Sequence, residues 1–314
     1  MADSPAAERT LDEAGVRALL RQDAPELANL PLTRVSDGWD NTMWRLGTDL
    51  AVRIPRRELA VALISHEQRA LPELGKRLAA LGIRTPVPVI AGRPSGAFPW
   101  PWSVVPWIDG ATAFTSSRAD NARWAPALAT ALVALHAPAS ADAPHNPVRG
   151  VPLADRDDVM STRLASHPEL PALREAWDAG LTAPASTERV WIHGDLHPGN
   201  ILVLGGSLTA LIDFGDVTAG DPAYDLAIGW LLFDAEGRDR FRAATGPRYD
   251  EATWIRAHAW AAYLALVFLT LSDDRPDHLS LGRSTVAELE HFARRRNVPE
   301  RSWAHDRSHL HDRT

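Results

Sequence analysis

One short stretch of the sequence, VWIHGDLHPGNILV at 190–203, places polar side chains between two apolar runs. Its acidic and imidazole side chains alternate, and residues two apart on a strand share one face. They are His193, Asp195 and His197. Three nitrogen or oxygen ligands of this kind can hold a catalytic zinc ion, which is a first hypothesis. In a second interpretation, a Pro-Gly pair ends the strand and the polar groups only bond the backbone of a tight turn.

The segment that follows favours a different chemistry. Asp195 and Asn200 have the spacing of the aspartate and asparagine in the catalytic loop of protein kinases. Asp213 begins an Asp-Phe-Gly triplet, and strand-like runs at 201–204 and 208–212 join at a Gly-Gly-Ser turn. A loop, a hairpin and a second loop then bring the three side chains to one end of a small sheet. Their oxygen atoms suit magnesium better than zinc.

Together these segments resemble the aminoglycoside phosphotransferase family, small-molecule kinases that are related to the protein kinases. The resemblance rests on HGDLHPGNILV followed by LIDFGDVTAGDPAYDLA, with SDGWDNTMWRLG, LAVRIPRR, HEQRALPEL, VVPWIDG and NPVRGVPL in the family's order. It runs from about residue 32 to residue 232. The catalytic loop with its Asp-Phe-Gly partner is the most specific part.

The first hundred or so residues predict a small antiparallel sheet and one helix. Strands are predicted at 32–35, 43–46, 50–54 and 102–105, and a helix that contains Pro72 at 59–81. Helical patterns follow at 117–136, 155–165, 169–181 and from 225 almost to 296. The resemblance implies an α+β, protein-kinase-like bilobal fold, with a small N-terminal sheet and a larger, mainly helical C-terminal lobe.

That fold divides the chain into four parts. The N-terminal lobe that covers the nucleotide is predicted at 1–105, the hinge between the lobes at 106–110, and the catalytic and substrate-binding lobe at 111–296. Residues 297–314 show no apolar periodicity and are predicted to form a flexible tail.

Phosphoryl transfer has a loose transition state, so a kinase mainly positions its reactants and neutralises charge. The resemblance implies that Asp195 is the catalytic residue, which orients the acceptor hydroxyl and takes its proton. Asn200 and Asp213 are expected to hold a Mg²⁺ ion that bridges the phosphates of the co-substrate, ATP or GTP. The plainer alternatives are a loop cap for Asn200 and a local turn for Asp213.

The phosphate-binding lysine of protein kinases is replaced here. The matching strand residue is Arg53, and its expected helix partner is Glu67. Arginine stays charged and can hold phosphate with two parallel hydrogen bonds, although its shape differs from that of lysine. The alternative for this pair is a surface salt bridge. Lys76, the only lysine, lies at the far end of the predicted helix and is a poor substitute.

Other nucleotide contacts are expected in a turn and in the hinge. The turn SDGWDNT has one glycine where protein kinases have three, and Ser36 and Asn41 are its candidate phosphate ligands. Two aspartates in the same turn argue against a deep contact, and a polar hairpin turn is the alternative. In the hinge, Trp107 and Ile108 follow a proline that has no N–H, so their backbone groups are the expected donors to the base.

Composition limits the compartment and the partners. The 314 residues include no cysteine and carry a net charge of -7, so disulfides are excluded and no basic surface for nucleic acid is indicated. The N-terminus is acidic and polar, unlike a signal peptide, and the most apolar stretch, 257–271, reads as a core helix rather than a membrane span. A cytoplasmic monomer or homodimer that binds neither nucleic acid nor membrane is expected.

The sequence does not determine which molecule accepts the phosphate. An aminoglycoside, a macrolide or a similar antibiotic is the expected substrate, and a metabolite such as an amino alcohol or a sugar is the alternative. Acidic residues could meet a polycation: Asp234, Glu236, Asp250, Glu251, Asp273 and Asp274. The apolar stretch ATWIRAHAWAAYLALVFL could line a cavity for a large ring. A catalytically silent nucleotide-binding module and a metallohydrolase remain as hypotheses from other classes.

Overall fold

A computed structural model describes residues 6–272 and 275–296 of the chain. The predicted flexible tail at 297–314 lies outside the described residues.

The N-terminal part is built on a five-stranded sheet with the order β1-β2-β3-β5-β4, in which every neighbouring pair is antiparallel. The sheet and its two helices are β1 (Leu32–Asp37), β2 (Asn41–Leu46), β3 (Leu50–Pro55), β4 (Ile90–Gly92), β5 (Trp102–Pro106), α1 (Glu13–Asp23) and α2 (Leu59–Ala79). Trp44, Val52 and Trp102 pack with α1 in a core of their own. The predicted meander of three strands is confirmed.

The helix α2 joins the two parts of the molecule. It runs without a break through Pro72, which lies on its exposed face. Leu71, Leu74 and Leu78, in its second half, pack in the core of the C-terminal part. The lobe boundaries inferred from the sequence stay predictions.

The C-terminal part is mainly helical, with two small sheets, one of order β6-β8-β9 and one that pairs β7 with β10. Its elements are β6 (Ala111–Thr112), α3 (Arg118–Asn121), α4 (Ala125–Leu135), α5 (Asp157–Ala165), α6 (Pro171–Thr182), β7 (Val190–Ile192), β8 (Ile201–Leu204), β9 (Ser207–Leu211), β10 (Thr218–Gly220), α7 (Ala223–Leu226), α8 (Ile228–Leu232), α9 (Ala235–Ala244), α10 (Glu251–Thr270) and α11 (Pro276–Arg296).

The helix α10 forms the centre of this part. It packs on α6 and α11, and Trp177 meets Trp260 edge to face with ring centroids 6.0 Å apart. Within the described ranges it is the one helix long and apolar enough to cross a membrane, yet 72% of its apolar window is buried in the protein. The long helical patterns predicted at 117–136 and 225–296 are each divided into shorter helices. Asp234 and Asp250 begin two of these as N-cap residues.

Candidate active site

The candidate catalytic loop connects β7 to β8 and ends in a short 3-10 turn, Pro198–Asn200. Asp225 of α7 holds the start of the loop. Its carboxylate accepts the backbone N–H groups of His193 at 2.7 Å and Gly194 at 3.0 Å, and lies 3.1 Å from Nε2 of His136. Burial alone would raise the pKa of Asp225, but the hydrogen bond from His136 and its neighbours hold that pKa below its ordinary value.

His193 orders the loop rather than binding a metal. Its Nε2 donates to the carbonyl oxygen of Ile212 at 2.9 Å, and its Nδ1 accepts the backbone N–H of Asp195 at 3.3 Å. Both ring nitrogens are therefore used. In the part of the chain that the structure describes, no group of three or more histidine, cysteine or acidic side chains could hold a metal ion. The loop geometry gives the zinc hypothesis no support.

Replacing Gly194 by alanine is expected to destabilise the fold by roughly 2 to 4 kcal/mol and to displace the loop. Gly194 has a φ of +82°, and an added Cβ would lie 2.3 Å from the carbonyl oxygen of Asp216. Gly206→Ala is the matched control, because Gly206 has a φ of +76° with nothing within 4 Å of the added Cβ. Urea denaturation measures both. Equal losses in the two variants would show that the close approach at Gly194 is unimportant.

Asp195 lies in the middle of the loop with both carboxylate oxygens engaged. Oδ1 accepts a hydrogen bond from Nη2 of Arg149 at 3.0 Å, and Oδ2 accepts one from Nδ2 of Asn200 at 3.3 Å. The side chain is 30% exposed, so an acceptor hydroxyl can still reach it. Burial works against ionisation, but the charge of Arg149 outweighs it and lowers the pKa of Asp195. Asp195 is thus a carboxylate at neutral pH.

Four rings pack beside this carboxylate. Nδ1 of His197 accepts the backbone N–H of the loop glycine at 3.0 Å, so its proton is on Nε2, which lies 3.7 Å from Oδ2 of Asp195. The ring lies 5.1 Å from His278 and 5.8 Å from Phe268, and Phe114 lies 5.3 Å from His278. Burial lowers the pKa of His278 to about 4. Burial also lowers the pKa of His197, so both imidazoles are neutral at pH 7. This side of the site is an aromatic wall, and the charge of Arg275 acts on both of its imidazoles.

Asn200 and Asp213 lie on two segments that a backbone hydrogen bond joins, and their side-chain oxygens are of the kind that suits a magnesium ion. The backbone N–H of Ile212 donates to the Asn200 carbonyl oxygen at 3.0 Å, which brings the start of the Asp-Phe-Gly triplet beside Asn200. Nδ2 of Asn200 donates to the backbone and side chain of Asp195, which leaves Oδ1 as a ligand oxygen. Asp213 is 54% exposed, and oxygen donors of these two kinds are what Mg²⁺ prefers.

Arg53 forms the ion pair with Glu67 that its kinase-like position predicts, and the pair is buried rather than on the surface. Its Nη1 donates to the two oxygens of Glu67 at 2.7 and 2.6 Å, and its Nη2 donates to Oδ1 of Asp213 at 3.3 Å. Although burial opposes its charge, Glu67 and Asp213 raise the pKa of Arg53, so it stays charged. Glu67 also accepts the backbone N–H of Phe214 at 2.9 Å and so ties α2 to the triplet.

The turn between β1 and β2 carries the two other candidate phosphate ligands. Ser36 is exposed, and Oδ1 of Asn41 is buried with no hydrogen-bond partner among the described residues. The aspartates of the turn are neutralised. Asp37 pairs with Arg34 at 2.7 Å, and Asp40 pairs with an arginine that follows β3. The acidic side chains therefore no longer argue against a phosphate near this turn.

The structure distinguishes the two hinge residues. The backbone N–H of Trp107 donates to the carbonyl oxygen of Asp49 at 2.7 Å, so this donor is already used. The indole of Trp107 donates to Asp109 at 2.8 Å and lies under Arg45, 4.1 Å from the guanidinium carbon. For Ile108, which is half-buried, the described chain offers its backbone N–H no partner. Ile108 is thus the better candidate donor to a base.

The acidic residues considered as a polycation site have other functions. Asp234 and Asp250 are N-cap residues, which accept backbone N–H groups at the starts of α9 and α10. Glu236 and Glu251 pair with arginines on the surface. Residues 273–274 lie outside the described residues. The apolar stretch of α10 packs in the core over most of its length, and Phe268 near its end joins the aromatic wall beside His197. Neither feature identifies the acceptor.

Several residues at the site were not predicted. Arg149 contacts Asp195 on one side and is itself bonded to Asp216 and Tyr224, and His278 belongs to the wall on the other side. Arg149 lies in the family-like segment NPVRGVPL. That segment belongs to a Pro-rich loop, and nothing in the sequence indicated that this loop contacts the catalytic loop. A cavity of about 460 Å³ borders Arg149.

Solved structures with a similar fold support the kinase-like architecture. The GDP complex of aminoglycoside 2'-phosphotransferase-IIIa matches with a TM-score of 0.64 at 18% identity, covering 90% of this chain and 100% of that one. A macrolide 2'-phosphotransferase from Brachybacterium faecium matches with a TM-score of 0.56 at 22% identity, covering 86% and 97%. At such identities the likeness shows the fold alone, and it confirms the predicted fold class.

The amino-acid sequence matches curated relatives and a family profile. A homoserine kinase from Methylocella silvestris is 31% identical over 222 residues, which cover 63% of this chain and 62% of that protein. A homoserine kinase from Methylobacterium nodulans is 31% identical over 223 residues, covering 62% and 61%. The chain thus matches less than two thirds of these relatives' length. The profile described as the phosphotransferase enzyme family matches residues 31–263, and the chain belongs to that family.

Proposed function

We propose that this protein transfers the γ-phosphate of ATP or GTP to a hydroxyl group of a small molecule. The observation that carries the proposal is the placement of Asp195, Asn200 and Asp213 by one loop, one hairpin and a second loop. A partly exposed, ionised carboxylate beside two magnesium-type ligands is the arrangement that phosphoryl transfer to an alcohol requires.

In the proposed reaction Asp195 accepts a hydrogen bond from the acceptor hydroxyl and aligns its oxygen with the γ-phosphorus. The new O–P bond forms as the bond between the γ-phosphorus and its bridging oxygen breaks, and the electron pair leaves on the nucleoside diphosphate. The hydroxyl proton passes to the Asp195 carboxylate. A Mg²⁺ ion held by Asn200 and Asp213 would neutralise phosphate charge.

The nucleotide is proposed to lie between the sheet and the catalytic loop. Arg53, held by Glu67, meets the phosphates, and Ser36 and Asn41 border them from the turn. Ile108 donates its backbone N–H to the base. A guanidinium that is already oriented by a buried carboxylate loses little freedom when it binds phosphate, which supports Arg53 in the position of the usual lysine.

For the acceptor, an antibiotic hydroxyl is the first candidate, because the solved structures of similar fold are aminoglycoside and macrolide phosphotransferases. An amino alcohol is the second, because the curated relatives are homoserine kinases. The aromatic wall beside Asp195, where the positive charge of Arg275 acts on both imidazoles, favours an acceptor that is not a polycation at that side. We place the reaction in the cytoplasm, with the protein as a monomer or homodimer.

Transfer of labelled γ-phosphate tests the proposal. The purified protein is incubated with Mg-ATP or Mg-GTP and a panel of macrolides, aminoglycosides, homoserine, choline-like amino alcohols and sugars. At least one acceptor is expected to gain phosphate at a rate more than about tenfold above hydrolysis. Absence of transfer to the whole panel, together with hydrolysis no faster than in Asp195→Ala, would falsify the enzymatic function.

Nucleotide binding is expected to stabilise the fold in a magnesium-dependent way. At a nucleotide concentration of about 100 times the dissociation constant, the gain in unfolding free energy is about 2.7 kcal/mol. Thermal unfolding with ADP, with and without Mg²⁺, measures it, and zinc without nucleotide serves as the control. Stabilisation by zinc alone would favour the metallohydrolase, and stabilisation without turnover would favour the silent nucleotide-binding module.

A further inference from the structure

Arg149 lies in the connection between α4 and α5 and contacts three oxygen groups at once. Its guanidinium donates to Oδ1 of Asp195 at 3.0 Å, to the hydroxyl of Tyr224 at 2.7 Å and to Oδ2 of Asp216 at 3.5 Å. Asn146 donates to the other oxygen of Asp216 at 2.7 Å. The side-chain oxygen of Asn146 accepts two backbone N–H groups of the connection between α4 and α5, at 2.9 and 3.0 Å. The arginine is therefore fixed before any substrate binds.

The Asp195 carboxylate is held from two sides as a result. Arg149 engages one oxygen, and Asn200 and His197 lie at 3.3 and 3.7 Å from the other. A free aspartate side chain samples several rotamers, and only one of them aims its oxygen at the acceptor. Displacement of a catalytic group by about 1 Å can cost about 100-fold in rate, so a fixed carboxylate matters to turnover.

The same contacts argue that Arg149 does not itself hold phosphate. One terminal nitrogen is bonded to Tyr224, and the other to Asp195 and Asp216. Two carboxylates surround the guanidinium, so its positive charge is already balanced before a nucleotide arrives. Arg53 is also bonded to two carboxylates, Glu67 and Asp213, but one of them is the candidate metal ligand, so Arg53 is the arginine that lies beside the proposed phosphates.

We propose that Arg149 is a positioning residue for phosphoryl transfer, which holds Asp195 in the orientation that receives the acceptor proton. Tyr224 and Asp216 hold Arg149 in turn. The assignment rests on the proposed phosphotransferase function. A lysine at this position would keep the charge but could not bond Tyr224 and Asp195 with one planar group.

A double-mutant cycle tests the assignment, with hydrolysis of Mg-ATP or Mg-GTP as the assay, so that no acceptor needs to be known. Arg149→Gln is expected to lower kcat by about 10- to 100-fold and to change the nucleotide KM by less than about threefold. Arg149→Lys is expected to lower kcat by a smaller factor. In the Asp195→Asn background the same Arg149→Gln change is expected to alter kcat by less than about twofold, because the arginine acts only through that carboxylate.

Chemical rescue and a control variant separate positioning from a general loss of structure. Guanidinium ion at millimolar concentration is expected to restore part of the kcat of Arg149→Ala, which a loss of structure would not allow. Arg189→Gln is the matched control, since Arg189 is an exposed arginine that lines the same cavity of about 460 Å³, and its kcat is expected to match the wild type.

Two results would overturn the assignment. Losses that multiply in the double variant, or a large rise in nucleotide KM with kcat unchanged, would show that Arg149 acts on the nucleotide or on the fold. Failure of the proposed function would be distinguishable, because the wild-type protein itself would hydrolyse no nucleotide and transfer no phosphate. That result would overturn the assignment of Arg149 as well.

Discussion

Asp195→Asn is expected to lower the rate of phosphate transfer by about 100- to 10,000-fold. Asp195 is the carboxylate that Arg149 and Asn200 hold at 3.0 and 3.3 Å, and it is the candidate acceptor of the hydroxyl proton. An amide cannot take that proton. It also offers one oxygen where the carboxylate offers two, so one of the two donors loses its partner.

The binding of nucleotide is expected to survive this change. Asn200 keeps its hydrogen bond to the backbone of Asp195 at 2.8 Å, and the other proposed ligands, Arg53 and Asp213, make no hydrogen bond to Asp195 among the described residues. Magnesium-dependent stabilisation by ADP, measured by thermal unfolding, is therefore expected to match the wild type. Asp158→Asn, at an exposed aspartate on α5, is the control and is expected to leave turnover unchanged. A transfer rate within about threefold of the wild type would remove Asp195 from the proposed chemistry.

The central part of this site could be predicted from the sequence because it is local. Asp195, Asn200 and Asp213 are joined by a loop and a hairpin, and short-range patterns such as strand alternation and a Gly-Gly turn determine where such elements end. The pairing of Arg53 with Glu67 was implied by the resemblance, since a strand residue at this position pairs with a helix glutamate in protein kinases. The structure shows that pair buried, with a contact to Asp213 that no pattern indicated.

The second layer of the site could not be predicted, since it depends on tertiary packing. Arg149 and Asp195 lie 46 positions apart, and the connection that carries the arginine has no periodicity to place it. His278 meets His197 only because α11 packs on the C-terminal core. Patterns within one element do not state which elements become neighbours, so these contacts became visible only in the folded chain.

The acidic residues of the C-terminal part show a different kind of failure. As a group of acidic residues in one part of the sequence, they indicate a possible site for a polycation. Once the chain is divided into α9 and α10, Asp234 and Asp250 are recognisable as N-cap residues, which accept backbone N–H groups at 2.8 Å. Their capping role depends on where α9 and α10 begin, which the helical pattern from 225 almost to 296 does not show.

The other large effect is expected at Asp213, where asparagine is predicted to lower turnover by about 1,000-fold or more. A metal ion that stabilises phosphate charge contributes several kcal/mol to the barrier, and about 4 kcal/mol corresponds to that factor. The substitution removes the negative ligand and the ion pair with Arg53, whose nitrogen lies 3.3 Å from Oδ1. Glu67 still holds the arginine, so the rest of the site is expected to keep its shape.

Comparison with alanine separates the metal ligand from the backbone at this position. Asp213 has a φ of +62°, and no other residue of the described ranges except glycine has a positive φ. Aspartate and asparagine both adopt this region, whereas alanine there costs about 1 to 2 kcal/mol. Without nucleotide, the temperature of thermal unfolding is therefore expected to be unchanged in Asp213→Asn and lower in Asp213→Ala. Both variants are expected to lose the magnesium-dependent stabilisation by ADP. If Asp213→Asn kept that stabilisation, the carboxylate would not be a magnesium ligand, and its contributions to the site would be its contact with Arg53 and its backbone conformation.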